Sequence, residues 1–458
     1  MTPASIRSQK SLGRVHFIGI GGVGMSAVAR IMAARGVTVS GSDARDLPVM
    51  ADLATAGARI AVGYAASNLG DAQTVVAGSA IRADNPELVA AREAGLPVLH
   101  RSEALASTMG DDTVVTIAGT HGKSTTTSMI TVLLRGAGLD PSFAIGANVP
   151  ALGVNAAHGS SGIFVAEADE SDGSFLNYRP QIAVVTNVEP DHLDHYGTAE
   201  AVYESFDRFT ELLPADGVLI ACADDPGARA LAERTRARGN TRVVLYGTSD
   251  GSDLVLQDDG PGKVDVSAPA GRYALELQVP GRHNALNAAA AVAVALELGV
   301  EAGAAARALS QFSGASRRFE LKGEAGGVRV FDDYAHHPTE VRAALTAARS
   351  VAGGHHVHVL FQPHLFSRTR EFAKEFADAL NLADTALVLD IYPAREDPIP
   401  GVTSQLIADH LGPGGQLVEP AEAVSALARA ARPGDIVLTV GAGDVTAFGP
   451  QIVQALDG

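Results

Sequence analysis

The chain contains a single cysteine, more acidic than basic side chains and no long apolar run, and each of these shortages excludes a class of protein. Because Cys222 is the only cysteine, the chain can form neither an intrachain disulfide nor a cysteine-based metal site. It follows the apolar run Val218–Ala221, so we expect it to be buried rather than to act as a nucleophile. The formal net charge of -17 argues against a nucleic-acid-binding protein, which would need clustered lysine and arginine for the phosphate backbone.

The sequence also shows no signal for membrane insertion or export. No stretch approaches the roughly 18 uninterrupted apolar residues of a membrane span. The segment Met1–Arg14 is polar and lacks the apolar core of a signal peptide. We therefore expect a cytoplasmic protein with no membrane partner. Small anionic ligands remain possible, because helix N-termini and a few local cations can bind phosphate inside an acidic protein.

What the sequence does contain is a regular alternation of short β-rich runs and helical stretches. This alternation predicts an α/β fold with βαβ units and parallel sheets covered by helices on both faces. Three segments look self-contained, at residues 1–110, 111–313 and 314–458. The predicted strands include Val37–Ser40, Val357–Phe361 and Ile436–Val440, and a polar, glycine-rich patch covers Gly247–Gly262. Ligands of such sheets bind beyond the carboxyl ends of the strands, and the motifs described below all follow a predicted strand directly.

A phosphate-binding loop is the clearest motif. The predicted buried strand Thr113–Ala118 runs into Gly119–Ser124, with the sequence GTHGKS, and then into a helix. The glycines let backbone N–H groups approach phosphate oxygens, and the helix N-terminus adds positive potential. Lys123 can reach the β- and γ-phosphates of a nucleotide, and the Ser124 hydroxyl can hold Mg²⁺. The loop is more compact than the common form of this motif.

A second glycine-rich turn, GIGGVG at Gly19–Gly24, follows the strand Val15–Ile18. It fits the dinucleotide fingerprint, and Asp43 lies where a ribose-binding acid would be expected. Taken alone, the turn indicates an NAD- or FAD-dependent oxidoreductase. The turn by itself indicates only that a pyrophosphate binds at a helix N-terminus. UDP-sugars also contain a pyrophosphate. A turn needed only for close packing of strand and helix is a further alternative.

Two polar clusters at strand ends could hold a metal ion. The acidic run Glu167–Asp172 follows the strand Ile163–Ala166, and Asn187–His195 follows the next strand. An acid at a strand end can reach the metal of a phosphate loop on a neighbouring strand, and His192 and His195 stand three apart beside carboxylates. We expect Mg²⁺ rather than zinc, because phosphate transfer uses hard, oxygen-ligated cations. Ordinary solvated loop acids are the alternative.

The remaining clusters suit nucleotide and carboxylate recognition. Asn284 and Asn287 share one helical face and could contact a base or ribose, although helix capping is an alternative for Asn284. Arg317-Arg318 could close over the γ-phosphate as a cationic clamp. The arginines of Gln362–Arg370 suit a carboxylate, which they can bind through a forked hydrogen bond.

The complete set of motifs resembles the Mur ligase family. The motifs follow the family's order over nearly the whole chain. They are GIGGVGMSAVA at Gly19–Ala29, GTHGKSTTT at Gly119–Thr127, EADESDGSF at Glu167–Phe175, TNVEPDHLDHY at Thr186–Tyr196, PGRHNALNAAAA at Pro280–Ala291, RRFE at Arg317–Glu320, DDYAHHPTE at Asp332–Glu340 and QPHLFSRTR at Gln362–Arg370.

The resemblance implies three domains and a reaction. Residues 1–110 would form a Rossmann-like UDP-sugar domain, residues 111–313 a central P-loop ATPase domain, and residues 314–458 a Rossmann-like amino-acid domain. ATP would phosphorylate the lactyl carboxylate of UDP-N-acetylmuramate, and the amine of L-alanine would attack the acyl phosphate. The products would be an amide, phosphate and ADP, in peptidoglycan precursor synthesis for the cell wall. A monomer or weak homodimer is expected.

The resemblance also implies roles for individual residues. Lys123 and Arg318 would stabilise the transferring phosphoryl group, and His336 or a carboxylate would deprotonate the amine. Mg²⁺ would be held by Ser124, Glu167 and His192. ATP would be bound by Gly119, Thr120, His121, Gly122, Lys123, Ser124, Thr125, Asn284, Asn287, Arg318, Asp333 and Tyr334. The UDP-sugar would be bound by Gly21, Gly22, Val23, Gly24, Met25, Ser26, Asp43, Ser79, His121, Asn187 and His192. The amino acid would be bound by His337 and Arg368.

Two departures bear on which ligase of the family the chain resembles. Leu365 stands where some relatives carry arginine, which leaves Arg368, with Arg370 as a further candidate, for the amino-acid carboxylate. The residues around Asp207 offer no lysine of the kind that sister ligases carbamylate, which favours the alanine-adding member. The alternatives are a recycling ligase that attaches a preformed tripeptide and, from other classes, an NAD-dependent oxidoreductase or a non-catalytic nucleotide-binding module.

Overall fold

The structure is a computed structural model that describes residues 8–258, 262–269, 271–394 and 396–457. Its strands form three sheets of five, ten and six strands. The predicted α/β fold with parallel sheets is confirmed. Short 3-10 turns lie at Gln9–Ser11, Ala66–Leu69, Ser174–Asn177 and Asp444–Ala447. Over the described part of the chain, every helix is too short or too polar to cross a membrane.

The first sheet is built from β1 (Val15–Ile18), β2 (Val39–Asp43), β3 (Arg59–Val62), β4 (Thr74–Ala77) and β5 (Val98–His100). Its helices are α1 (Val23–Ala34), α2 (Pro48–Thr55), α3 (Pro86–Glu93) and α4 (Arg101–Met109). The strands are parallel in the order β3-β2-β1-β4-β5. The winding direction therefore reverses between β1 and β4, which is where open α/β sheets bind ligands.

The second sheet contains β6 (Thr113–Ala118), β7 (Ser142–Ala144), β8 (Ala156–Ala157), β9 (Ile163–Glu167), β10 (Ile182–Val185), β11 (Val218–Cys222), β12 (Arg242–Gly247), β13 (Leu254–Asp258), β14 (Lys263–Ala268) and β15 (Gly271–Glu276). Its helices are α5 (Lys123–Gly136), α6 (Leu193–Tyr196), α7 (Ala199–Thr210), α8 (Pro226–Arg238), α9 (Arg282–Glu297) and α10 (Ala302–Leu309). The strand order is β15-β14-β13-β12-β11-β10-β6-β9-β7-β8, so β6 lies between β9 and β10.

The third sheet contains β16 (Glu320–Ala325), β17 (Val328–Asp333), β18 (Val357–Phe361), β19 (Thr385–Val388), β20 (Gly415–Leu417) and β21 (Ile436–Val440). Its helices are α11 (Pro338–Ala352), α12 (Phe366–Leu380), α13 (Gln405–Ala408), α14 (Pro420–Ala430) and α15 (Phe448–Leu456). The order is β16-β17-β21-β18-β19-β20. Only the edge strand β16 runs antiparallel to its neighbour among these described strands.

The chain divides into two compact units. One contains residues up to Gln257 with Asp265–Glu276 and Leu286–Phe312, and the other contains Asp258–Val264, Leu277–Ala285 and the residues from Ser313 onward. The first sheet and most of the second thus belong to one unit, while the third sheet lies in the other. The division into 1–110, 111–313 and 314–458 stays a prediction.

The central strands are continuous apolar runs, as expected of parallel strands that helices cover on both faces. Strands β1, β10, β11, β18 and β21 are buried along their whole length. Cys222, at the end of β11, is buried as expected, and burial raises the pKa of its thiol to about 11.

Most predicted strands lie where the pattern put them, with two differences. The strand expected at Val37–Ser40 is β2 and begins two residues later, at Val39. The segment Gly247–Gly262, interpreted as a polar patch, contains strand β13. Glycine and aspartate dominate that segment, so the short apolar stretch within it gives too weak a signal for a strand.

Candidate active site

The phosphate loop connects β6 to α5, as predicted, and two of its glycines adopt positive φ. Gly119 has φ +135° and Gly122, the N-cap of α5, has φ +81°. A Cβ added to Gly119 would lie 2.1 Å from Oγ1 of Thr186, so only glycine fits there. The His121 backbone N donates to Oδ1 of Asn187 at 2.7 Å, and Thr186 Oγ1 donates to the His121 carbonyl at 2.6 Å. The loop is thereby fixed against the segment that follows β10.

Strand register brings the flanking polar residues to this loop. In the ladders, Ile117 of β6 pairs with Glu167 of β9, and Ala118 pairs with Val185 of β10. The carboxyl ends of β9 and β10 therefore lie on either side of the point where the phosphate loop begins. This explains why residues far apart in sequence meet at one edge of the sheet.

Lys123 lies at the centre of this edge, with its side chain largely covered. Its Nζ donates to the carbonyl of Gly119 at 2.7 Å and lies 2.9 Å from Oε1 and 2.8 Å from Oε2 of Glu170. Burial by itself lowers the pKa of Lys123, but the attraction of Glu170, with Asp169 and Glu167, outweighs burial and raises the pKa above its ordinary value. Lys123 is therefore a permanent cation at neutral pH.

Ser124 and Glu167 meet at the phosphate loop and offer oxygen atoms that suit a divalent cation, and His192 is the third ligand that the resemblance implies. Ser124 Oγ donates to Oε1 of Glu167 at 3.0 Å, and the backbone N of Gly146 donates to Oε2 at 2.7 Å. Within the described residues, Nδ1 of His192 is buried and has no hydrogen-bond partner. Two hard oxygens and an imidazole nitrogen suit Mg²⁺ next to phosphate. His195 is exposed and packs edge-on to the Tyr196 ring, whereas Nε2 of His192 lies 3.6 Å from Oε1 of Glu170. That His192 joins Ser124 and Glu167 in holding an ion stays a prediction.

The two asparagines of α9 differ in their surroundings, although both are buried. A Cβ added to Gly122 would lie 3.0 Å from Oδ1 of Asn287, which places Asn287 against the phosphate loop. Asn284 is the third residue of α9, and its Nδ2 donates to the carbonyl of Pro280 at 2.7 Å. The alternative that Asn284 caps the helix is wrong, because the helix begins at Arg282.

The glycine-rich turn after β1 lies at the switch point of the first sheet. Its backbone is held by β2, since Gly19 N donates to the Ser42 carbonyl at 2.8 Å and Gly21 N donates to Oδ2 of Asp43 at 3.0 Å. Asp43 thus fixes the turn, in addition to any contact with a ligand. A Cβ added to Gly24 would lie 2.8 Å from Nη1 of Arg101. The guanidinium of Arg101 therefore lies against the N-terminal turn of α1, where a pyrophosphate would need a cation.

Ser79 follows β4 and meets Asp172, an acid of the predicted run Glu167–Asp172, and His100, which sequence reasoning missed. Ser79 Oγ donates to Oδ2 of Asp172 at 3.0 Å and lies 3.1 Å from Nε2 of His100. Burial lowers the pKa of His100, with Asp172 opposing. His100 and Arg101 stand at the carboxyl end of β5, beside the switch point, and that position was the signal that could have identified them.

In the other unit, the ring of Tyr334 lies close to two arginines. The guanidinium carbons of Arg317 and Arg318 lie 4.9 Å and 5.0 Å from its ring centroid. Arg317 and Phe319, on either side of Arg318, have φ of 59° and 50°, a strained conformation for such residues. The Arg317 guanidinium bonds Oδ2 of Asp332 at 3.1 Å, which holds this strained segment to β17.

The carboxylate of Asp333 also holds the strained segment Arg317–Phe319 in place. It accepts the backbone N–H of Phe319 and that of Ala335, each at 2.8 Å. Burial raises the pKa of Asp333 to about 6, although Arg318 opposes the increase. Arg318, Asp333 and Tyr334 are therefore brought together as predicted, while their contact with ATP stays a prediction.

The residues predicted for the amino acid gather around α11 and α12. The rings of His336 and His364 lie 5.9 Å apart, and His364 Nδ1 lies 3.5 Å from Nη1 of Arg368. Arg368 is buried, whereas Arg370 is exposed, so only Arg368 belongs to this cluster. His337 is the N-cap of α11, where its side chain accepts the Thr339 N–H.

Leu365, the residue that replaces arginine of some relatives, is buried and has φ 73° and ψ 138°. Non-glycine residues rarely adopt this conformation, so the backbone before α12 is strained beside the predicted amino-acid site. Its backbone N donates to the Tyr392 carbonyl at 3.0 Å. The ring of Tyr392 stacks on His364 with centroids 5.9 Å apart.

Three family models match successive parts of the chain. They are described as the Mur ligase family catalytic domain over residues 14–113, the Mur ligase middle domain over residues 117–295, and the Mur ligase glutamate ligase domain over residues 317–443. Together they extend over most of its length, in the order that the motifs predict.

Individual proteins agree with these models. The chain is 78% identical over 454 residues to UDP-N-acetylmuramate–L-alanine ligase of Paenarthrobacter aurescens strain TC1, covering 99% of each chain. It is 80% identical over 452 residues to the ligase of the same name from Arthrobacter sp. strain FB24, covering 99% of this chain and 97% of that one. Among solved structures, UDP-N-acetylmuramate-alanine ligase of Thermotoga maritima is similar with a TM-score of 0.78 and 30% identity, covering 96% of this chain and 98% of that chain.

Proposed function

The chain belongs to the Mur ligase family, and we propose that it joins L-alanine to the lactyl carboxylate of UDP-N-acetylmuramate at the expense of ATP. The observation that carries the proposal is the alanine-ligase relatives' identity of 78% and 80% across 99% of the chain. The phosphate-loop geometry around Lys123 is what such a reaction requires. In this proposal residues 1–110 bind the UDP-sugar, 111–313 bind ATP and 314–458 bind the amino acid.

The first chemical step brings two anions together, because both the γ-phosphate and the attacking carboxylate are negatively charged. Lys123, held at the phosphate loop by backbone carbonyls, supplies a fixed positive charge, and we assign a second to Arg318. Mg²⁺, when bound by Ser124, Glu167 and His192, would neutralise further phosphate charge. Preorganised cations of this kind stabilise a transition state without reorganisation during the reaction.

We assign the sugar nucleotide's pyrophosphate to the switch point of the first sheet. The N-terminus of α1 provides backbone N–H groups, and Arg101 lies against it. Ser79 follows the neighbouring strand β4 and supplies a hydroxyl at the same edge. Binding of a pyrophosphate at a helix N-terminus is enough to account for this turn, so no hydride chemistry is needed to explain it.

We assign the alanine carboxylate to Arg368 and the deprotonation of its amine to His336. A guanidinium matches a carboxylate with two parallel hydrogen bonds. His336 Nδ1 lies 3.0 Å from the carbonyl of Tyr334, which can only accept a hydrogen bond. Nδ1 therefore carries the proton in the neutral ring, and Nε2 is the basic nitrogen. A base is needed because only the unprotonated amine attacks the acyl phosphate.

The test is release of ADP by the full chain with ATP, Mg²⁺ and UDP-N-acetylmuramate, supplied with either L-alanine or the preformed tripeptide. We expect release that depends on L-alanine. Turnover with the tripeptide alone would assign the chain to murein recycling instead. Binding of NADH without any ADP release would favour the oxidoreductase.

Two further expectations are part of the proposal. We place the reaction in the cytoplasm and expect a monomer or weak homodimer, which sedimentation of the purified protein over a range of concentrations would test. A stable assembly that persists on dilution would contradict the second expectation.

A further inference from the structure

The acidic segment Glu167–Asp172 contacts two different sites with alternating side chains. Glu167 and Glu170 face the phosphate loop, where they accept from Ser124 Oγ at 3.0 Å and from Lys123 Nζ at 2.9 Å. Asp172 contacts Ser79 of the first sheet, while the charge of Asp169 acts both on Lys123 and on Arg101. Six residues thus connect the proposed ATP site to the proposed sugar-nucleotide site.

The contact with the first sheet engages the groups that a pyrophosphate would use. Ser79 Oγ donates its only proton to Asp172. His100 Nδ1 accepts the backbone N–H of Ser102 at 3.3 Å, so the proton of the neutral ring is on Nε2, which lies 3.1 Å from Ser79 Oγ and 3.6 Å from Oδ2 of Asp172. Nη2 of Arg101 lies 3.9 Å from Oδ2 of Asp169.

Short-range hydrogen bonds connect successive residues of the acidic segment. Ala168 N donates to the Ile117 carbonyl at 2.9 Å, which anchors the segment to β6. Ser171 N donates to Oδ1 of Asp169 at 3.1 Å, and Gly173 N donates to the Glu170 carbonyl at 2.9 Å. Ser174 N donates to Oδ1 of Asp172 at 3.0 Å. The side chain of Asp172 is therefore linked to the backbone carbonyl of Glu170 through the neighbouring residues Ser174 and Gly173.

We propose that Asp172 is a positioning residue that couples binding of the sugar nucleotide to the readiness of Lys123 for ATP. This inference rests on the proposed function. An arriving pyrophosphate competes for the Ser79 proton and for Arg101, and its charge repels Asp172. The acidic segment then shifts, Glu170 loosens its hold on Lys123, and the ammonium turns to the phosphates of ATP.

Coupling of this kind is reciprocal, so each ligand must raise the affinity of the other by the same factor. Coupling between sites is typically on the order of 5–150-fold. In Asp172→Asn, Oδ1 can still accept from Ser174 and the amide can still meet Ser79, but the negative charge is lost. We expect the coupling factor to fall from about tenfold or more to less than about twofold.

The experiment measures the dissociation constant of a non-hydrolysable ATP analogue with Mg²⁺, with and without saturating UDP-N-acetylmuramate, on the full chain by calorimetry. The variants are Asp172→Asn and, as the matched control, Asp84→Asn. Asp84 is also an acid near the end of β4, but its side chain is 74% exposed. The control should keep wild-type coupling. A loss confined to Asp172→Asn supports the proposal, whereas unchanged coupling in that variant overturns it.

A second variant separates positioning from folding. Asp172→Glu keeps the charge and should restore at least part of the coupling factor, while a merely structural role would lower the melting temperature of both variants without altering that factor. If Asp172→Glu couples no better than Asp172→Asn, the proposal is wrong. If the wild type turns over L-alanine but binds the ATP analogue equally well with and without UDP-N-acetylmuramate, only the coupling is overturned. Absence of alanine-dependent turnover would overturn the proposed function itself.

Discussion

Lys123 and Glu170 form a buried ion pair at the phosphate loop, with Nζ 2.9 Å from Oε1. The glutamate side chain is 2% exposed and the lysine side chain 13% exposed. The cation to which we assign charge stabilisation is therefore held by a carboxylate from the segment after β9. Removing one partner leaves a buried charge uncompensated, which is the costly way to break such a pair.

The first prediction concerns this pair. We expect Lys123→Met to lower the free energy of unfolding by about 3–5 kcal/mol, because Glu170 is left buried and charged. The double variant Lys123→Met/Glu170→Gln should recover much of that loss, since a neutral replacement removes the unpaired charge. Neither variant should ligate. Urea unfolding measures the first effect, and a single variant as stable as the wild type would show that the pair is not buried in solution.

The second prediction concerns the metal ligands. We expect Glu167→Gln to raise the Mg²⁺ concentration for half-maximal ADP release by at least about tenfold, because a neutral amide is a weaker ligand than a carboxylate. The matched control is Glu200→Gln on α7, an exposed acid, which should leave the Mg²⁺ requirement unchanged. A Mg²⁺ titration in which the two variants coincide would remove Glu167 from the site.

The third prediction separates backbone strain from crowding in the phosphate loop. Gly138 has φ +89° and open space around an added Cβ, so Gly138→Ala should cost only the left-handed penalty of about 1–2 kcal/mol. Gly119→Ala adds the overlap with Thr186 and should cost a further 1–3 kcal/mol, roughly, in the free energy of unfolding. It should also abolish ATP turnover, while Gly138→Ala retains it. If denaturant unfolding gives the same loss of free energy for Gly119→Ala and Gly138→Ala, the overlap with Thr186 does not contribute.

The fourth prediction follows from the raised pKa of Asp333, about 6 in the folded protein against an ordinary 3.8. The folded state holds this proton more tightly, so the stabilisation is complete below pH 3.8 and is lost as the pH rises through 6. Between about pH 5 and pH 7, the wild type should lose roughly 1 kcal/mol of unfolding free energy relative to Asp333→Asn. Denaturant unfolding of both proteins measures this difference, and a difference that stays constant with pH would refute the assignment.

The fifth prediction distinguishes two neighbouring arginines of α12. Arg368→Lys should raise the KM for L-alanine by roughly 10–100-fold, because lysine cannot form the forked contact with a carboxylate. The KM for ATP should change little. Arg370→Lys is the matched control, since Arg370 is exposed on the same helix. If both variants alter the KM for L-alanine equally, Arg368 is not the specific carboxylate ligand.

Much of the fold could be predicted because parallel strands covered on both faces are continuous apolar runs in the sequence. The predicted bounds of β6, β18 and β21 coincide with those of the structure. Strands β14 and β15 escaped prediction, since they are polar at alternate positions and lie in a glycine-rich stretch. Their placement depends on the neighbouring strands of the sheet rather than on a strong local pattern.

The candidate site was predicted unevenly for a similar reason. The loop Gly119–Ser124 could be predicted because its glycines, its lysine and the start of its helix are neighbours in the sequence. His100 and Arg101 carry no such pattern, and they matter only because β5 lies beside β4 at the switch point. Asp172 was predicted as one acid among several, without its contact with Ser79.

The sequence by itself determined the α/β fold, the phosphate loop and the order of the family's motifs, since each depends on residues close together in the chain. Only the tertiary structure decided which side chains meet. It paired Lys123 with Glu170, joined Asp172 to Ser79 and separated buried Arg368 from exposed Arg370. Those relationships depend on strand order and register, which bring distant residues to one edge of a sheet and which no local pattern encodes.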